Sequence, residues 1–499
     1  MRVFLLSFAL LVSTSAAALA EALTPAPGPH AVGLHIVKQY DASRGATPKL
    51  AIFDDGKLLD PARPMQTLVW YPAQASNATH VRYQDYLQSD ITADNFTMSA
   101  AELASASKRW EKNPAAQASM LAVRDAQAAT GKFPVVIYAP SFDAAASENT
   151  DLCEHLASHG YIVLSSASRG AHARGMTDDV AGVEAQAADI AYLVAYAATI
   201  PGADMSKVAA AGFSWGGLSN VFAASNSSRI KALVSLDGSV RSYPQLFAAS
   251  GHVTPASVPY PILSIGSRNE SVERLNEREK STALSFLNKM VFSDVYLVNM
   301  HPMEHGNFAG VNLRVGSMSY VDYTRDEVRE ASIWTARYVR AFLDAYLKQD
   351  ATALAFLKAA PAANGVPAHM MSMKVRPASA TAPSAADFIK EFKRRQFRDA
   401  SVVYEEMRKN APEFKLSEIA LNVWGYELLA KKNPQGAIEL FKLGITVEPR
   451  WGGIQDSLGE AYEAAGEPAL ALAAYERALV LDPTIPSSAA RVKALRKAP

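Results

Sequence analysis

The chain has 499 residues, more than a single core normally holds, so two or three domains are expected. Its 49 basic and 49 acidic residues cancel to a formal net charge of zero, which leaves no basic face for nucleic acid and no acidic tail. One cysteine, Cys153, excludes an intrachain disulfide, and its place in a predicted helix over 149–159 reads as a packed small hydrophobe.

At the N-terminus Arg2 precedes an apolar run over 3–12, and Ala18-Leu19-Ala20 supplies a small-x-small cleavage site. Residues 1–20 are therefore expected to be an export signal, with a mature chain from Glu21 in the periplasm or secreted. The apolar stretch is too short to span a bilayer, and no other segment holds eighteen uninterrupted apolar residues, so no transmembrane segment is expected in the mature chain. A proline-rich lead-in follows, then strands over 30–40 and 66–71 separated by a polar loop with Asp54-Asp55-Gly56. The alanine-rich stretch 83–130 is predicted as a helical insertion bordering the site.

From Phe133 the rhythm turns to strand and helix in alternation. Strands are predicted over 135–139, 161–165 and 207–211, with helices over 149–159 and 178–198 between them. Further strands fall at 230–236, 261–265 and 295–300, before a closing helix over 326–347. Such alternation implies an α/β fold, a doubly wound and mostly parallel sheet covered on both faces, over residues 21–358. Residues 359–384 are rich in Ala, Pro and Ser and read as a linker. Beyond it, over 385–499, a repeat emerges. Gly425 and Gly459 lie 34 residues apart, as do Ala437 and Ala471, Phe441 and Tyr475, and Pro449 and Pro483. Ala400, Tyr404 and Pro412, a further 37 residues back, suggest a degenerate first unit, and three helix pairs suffice to bury a shared core.

The chemistry is carried by Gly212-Phe213-Ser214-Trp215-Gly216-Gly217, the G-x-S-x-G spacing of a nucleophile elbow. A tight turn between strand and helix brings backbone close on either side, so glycines stand where a Cβ would clash. Ser214 is the candidate nucleophile. A serine hydroxyl needs a positioned base and an acid to orient that base, and in this fold class the acid precedes the histidine. The strand over 295–300 is followed by His301-Pro302-Met303-Glu304-His305-Gly306. His305, beside Gly306, is free to reach inward and is the candidate base, whereas His301, against the strand and fixed by Pro302, reads as structural or pocket-lining. The same loop spells H-x-x-E-H, but that zinc spacing works on a helix, which Pro302 and Gly306 disfavour, so no metal or organic cofactor is expected. Two strand-end carboxylates, Asp237 and Glu270, fit the acid, and spacing alone does not choose between them. The amides of Trp215 and Phe142 are the expected oxyanion donors, the latter in the loop Pro140-Ser141-Phe142-Asp143.

Together, Gly212 to Gly217, Leu156-Ala157-Ser158-His159-Gly160-Tyr161 and His305-Gly306-Asn307-Phe308 make the region from His30 to about Lys348 resemble the platelet-activating factor acetylhydrolase and dienelactone hydrolase-like branch of the α/β-hydrolases. The acetylhydrolase pattern implies Asp237 as the acid and His305 as the base. The chain departs from the branch in carrying Pro140-Ser141 where a His-Gly pair is usual, and Ser214 where dienelactone hydrolases have cysteine. Leu458-Gly459, Tyr462, Ala471, Tyr475 and Pro483 resemble the tetratricopeptide pattern, which implies a small all-α domain with a groove for a peptide or partner protein. The resulting expectation is an exported serine esterase acting on short-chain, acetyl or lipid esters. The rivals are a lapsed hydrolase fold that binds a partner through its repeats, and a serine peptidase.

Overall fold

The computed structural model describes residues 22–45, 62–94, 96–171, 175–268, 286–318, 320, 322–412 and 414–497. The expected export signal, the Asp54-Asp55-Gly56 loop and Glu270 lie outside them. The chain divides into two compact units, one ending at Ser379 and the other starting at Ala380.

The first unit is built on an eleven-stranded sheet. In chain order the strands are β1 (Ala31–Gly45), β2 (Ala62–Ala73), β3 (His80–Arg82), β4 (Ser119–Arg124), β5 (Phe133–Ala139), β6 (Ile162–Ser166), β7 (Ala203–Phe213), β8 (Ile230–Leu236), β9 (Ile262–Ser267), β10 (Val295–Met300) and β11 (Met371–Arg376). They lie side by side in the order β11-β10-β9-β8-β7-β5-β6-β2-β1-β4-β3. The run from β10 through β6 is parallel, β2 joins β6 antiparallel, and β1 joins β2 antiparallel.

The central strands carry apolar, buried stretches, such as Val135 to Ala139 and Val208 to Ala211, because helices cover both sheet faces. Along β5 the alternation divides the side chains cleanly: Val136 and Tyr138 enter one core with the helices Thr150–Ser158 and Arg325–Leu347, while Val135 and Ile137 enter the other with Val180–Ala197 and Trp215–Ser225. Each long helix starts on a side-chain cap: Asp179 accepts from the Gly182 amide at 2.9 Å, and Thr324 from the Glu327 amide at 3.2 Å.

Two expectations need correction. The 83–130 insertion is only partly helical, with helices Tyr83–Ser89 and Ala100–Glu111, and it contributes β4 alongside β1. In β4 Met120 and Ala122 turn into the core, and this burial outweighs the helix propensity of the surrounding alanines. The expected 359–384 linker contains β11, paired antiparallel with β10 from Val295 opposite Arg376 to Met300 opposite Met371. Met371, Met373 and Val375 share one face of β11 and pack on the core, which anchors a stretch that composition alone makes look loose.

The second unit is all helical over its described residues, with helices Ala385–Arg394, Ala400–Asn410, Glu418–Ala430, Pro434–Val447, Gly452–Ala464, Pro468–Leu481 and Pro486–Leu495. Helix starts step by 34 residues from Glu418 to Gly452 to Pro486, and from Ala400 to Pro434 to Pro468. At the matched positions Gly425 and Gly459 lie against the rings of Phe441 and Tyr475, so close that an added Cβ would stand 2.3 Å and 2.6 Å from ring carbons.

Candidate active site

Where β7 ends, the chain turns at once into the helix Trp215–Ser225, with Ser214 at φ 52° and ψ −116°. This is a left-handed backbone for a side-chain-bearing residue, and its neighbours hold it there. The Ser214 amide donates to the Leu236 carbonyl at 3.0 Å, and the Ser214 carbonyl accepts from Ser239 at 3.0 Å and from Gly217 at 3.1 Å. The flanking glycines are sterically required. A Cβ on Gly216 would stand 2.0 Å from the Ala139 carbonyl oxygen, and one on Gly212 would stand 2.6 Å from the Gly216 carbonyl carbon.

Asp237 follows β8 directly and also takes a positive φ, 41°. Its amide donates to Ile265 at 2.6 Å, and its Oδ1 accepts from the Ser267 amide at 2.7 Å. The other oxygen, Oδ2, lies 2.6 Å from Nδ1 of His305, whose Nε2 is 3.0 Å from Ser214 Oγ. A carboxylate can only accept, so the imidazole proton sits on Nδ1 and Nε2 is left to receive the serine proton. The Asp237 side chain is 1% exposed and that of His305 57%, so a buried acid orients a base open to the site.

Of the residues named from sequence, Ser214, Asp237 and His305 are thus brought together. His301 stands at the end of β10, where its amide donates to the Met370 carbonyl at 2.9 Å, and it is not the histidine that meets Asp237 and Ser214. The H-x-x-E-H stretch is not an α-helix: a short 3₁₀ turn begins only at His305, and the Glu304 carboxylate pairs with Arg268. Among the described residues no group of three or more His, Cys, Asp or Glu side chains is arranged to hold a metal.

Trp215 opens its helix, so its amide has no acceptor within that helix and is available to a developing oxyanion. Phe142 sits on the loop after β5 with its ring 5.4 Å from that of Trp215 at 82°, and Tyr243 packs on Trp215 at 5.3 Å and 89°. The buried Trp215 is therefore flanked by two more rings, of which Phe142 is 41% exposed.

Sequence reasoning missed the group beneath this loop. Glu148 is buried just ahead of the helix Thr150–Ser158; its carboxylate accepts from the Ser141 amide at 3.0 Å, from the Ser141 hydroxyl and from the Tyr138 hydroxyl at 3.2 Å. Burial pushes its pKa up to about 7, against the Ser141 bonds that pull it down. Its signal in the sequence was a run of polar residues, Ser147-Glu148-Asn149, opening an otherwise buried helix.

A sharp strand-to-helix turn bearing the serine, followed by acid and histidine at the ends of later strands, defines an α/β-hydrolase fold. A model of the X-Pro dipeptidyl-peptidase (S15 family) matches residues 74–290, a span that includes Ser214 and Asp237 and stops before His305. Among solved structures the chain is similar to a ferulic acid esterase from Streptomyces cinnamoneus, with a TM-score of 0.51 and 19% identity over 71% of this chain and 99% of that one. No curated protein matches.

Proposed function

We propose that the chain is a serine hydrolase that cleaves carboxylic esters through an acyl-enzyme. The observation that carries this reading is the continuous hydrogen-bond chain from Asp237 through His305 to Ser214, at 2.6 Å and 3.0 Å. Ser214 attacks the acyl carbon as His305 Nε2 takes its proton, and Asp237 stabilises the resulting imidazolium. His305 then protonates the departing alcohol, and a water activated by the same nitrogen releases the acid. In this reading the Trp215 and Phe142 amides hold the tetrahedral oxyanion.

The Phe142 ring, 41% exposed on the loop after β5 and packed on the buried Trp215, favours an apolar substrate portion, which suits short-chain, acetyl or lipid esters and the acetylhydrolase-like branch. The similar solved structure is named as an esterase, which agrees with this choice. A serine peptidase is the second reading, favoured by the S15 match, because the same triad also serves amide bonds. An export signal at 1–20 and tetratricopeptide-like repeats at 385–499 complete the proposal; the repeated glycine-to-ring contacts support the latter. A partner-binding protein with a lapsed site has the intact geometry of Ser214, His305 and Asp237 against it.

The test is turnover of p-nitrophenyl esters from acetyl to palmitoyl, beside an X-Pro p-nitroanilide, by the parent chain and Ser214→Ala. Ester turnover that drops by about 10⁴-fold or more in the variant is expected. Anilide turnover exceeding ester turnover would move the assignment to the peptidase, and no Ser214-dependent turnover together with no fluorophosphonate labelling would end the hydrolase reading.

A further inference from the structure

Two consecutive residues, Glu148 and Asn149, reach both of the loops on which the proposed chemistry depends. Toward the loop after β5, Glu148 holds Ser141 at two points, the amide and the hydroxyl, immediately before the proposed oxyanion donor Phe142. Toward the loop that carries His305, Asn149 accepts from the Gly310 amide at 2.7 Å and donates to the Phe308 carbonyl at 2.9 Å, while the Glu148 carbonyl accepts from the Val311 amide at 3.0 Å. Tyr138 closes the network: its hydroxyl accepts from the Asn149 side chain and donates to Glu148.

A buried carboxyl and a buried amide are expensive to desolvate, and apolar residues of similar shape would fill the same space at lower cost. Here the side-chain bonds of the two residues run to Tyr138, to Ser141, to Phe308 and to Gly310. We infer that Glu148 and Asn149 are positioning residues that fix the oxyanion loop and the histidine loop relative to each other; this rests on the ester hydrolase reading.

Such a role concerns the transition state and not substrate binding, so its loss should lower kcat and leave KM nearly unchanged. Removing an oxyanion donor outright costs about 10²–10³ in kcat, and a donor that is displaced rather than removed should cost about 10- to 100-fold. The experiment measures kcat and KM on the best p-nitrophenyl ester for the parent, Glu148→Gln, Glu148→Ala, Asn149→Ala and Ser214→Ala. Active sites are counted by endpoint fluorophosphonate labelling, so that a misfolded fraction does not pass for slow turnover. The expected order in kcat is parent, then Glu148→Gln, then Glu148→Ala, with KM within about threefold throughout. Glu148→Gln keeps the shape and one acceptor, so it carries the test should Glu148→Ala fail to fold. A folded Glu148 variant with kcat within about threefold of the parent, or a loss confined to KM, overturns the inference alone. A parent whose turnover is untouched by Ser214→Ala overturns the hydrolase reading and this inference with it.

Discussion

A buried carboxyl group couples a fold to pH, and Glu148 is not alone in doing so. Glu154 is 1% exposed and accepts from the Tyr86 hydroxyl at 2.6 Å and from the amides of Leu121 at 2.6 Å and Ala122 at 3.3 Å. Burial still dominates and pushes its pKa up to about 7 from an ordinary 4.5. Between those two values the folded state holds a proton that the unfolded chain has released. Stability therefore declines as pH rises from 4.5 toward 7 and stays lower above it. The thermal midpoint should accordingly fall between pH 5 and pH 8, and by a smaller amount in Glu154→Gln; parallel pH profiles for the two proteins would show that Glu154 does not titrate in this window. At this scale the meeting of Ser214 with His305 was legible, because the spacing of glycines around Ser214 and the order of acid and histidine are constraints on sequence. Asp237 was not separable from Glu270 by spacing, since each follows a strand. Its distinction is three-dimensional: a positive φ turns the carboxylate toward His305 while the Ser267 amide fixes the other oxygen. Glu148 was illegible for the same reason, as its meaning lies in bonds across loops.

Among the elements, the parallel core was readable because strands buried on both faces carry unbroken apolar runs, as in Val135 to Ala139 and Val208 to Ala211. The sheet margins were harder. The six-residue strands β4 and β11 are short, flanked by alanine or proline, and half-exposed, so composition outvoted their alternation. Both were revealed by what they lie against, β1 and β10. β11 also moves a boundary. A chain ending at 358 would lack β11 and leave β10 as an open edge, whereas one ending at Ser379 keeps the full sheet. The shorter chain should aggregate or unfold, and the longer should retain the Ser214-dependent activity. Expression of both with a circular dichroism melt and an ester assay decides it, and equal behaviour of the two would deny β11 a structural role.

At the scale of the whole molecule, the division at Ser379 separates two ways of building a core. The first unit buries its apolar surface around one sheet, with many contacts between distant residues; the second stacks helices that meet their neighbours in sequence. The 34-residue recurrence made the second unit legible, because the contact of Gly425 with Phe441 is rebuilt by Gly459 with Tyr475. The looser first copy was placed by Ala400 at a 37-residue offset from Ala437, whereas helix starts step by 34, from Ala400 to Pro434. Helix ends step by 37, from Asn410 to Val447, and Ala400, Tyr404, Ala437 and Phe441 are all buried, so the difference lies at the helix start, the first helix having 11 residues against 14.

The positive φ of Ser214 has a consequence for how this chain would change if its chemistry were no longer needed. At φ 52° and ψ −116° a serine is held where glycine rests without strain. Ser214→Gly should therefore abolish turnover while raising stability by about 1 kcal/mol, read as a higher melting temperature. Under the proposed hydrolase reading, a lineage released from selection for hydrolysis would be drawn toward glycine at this position.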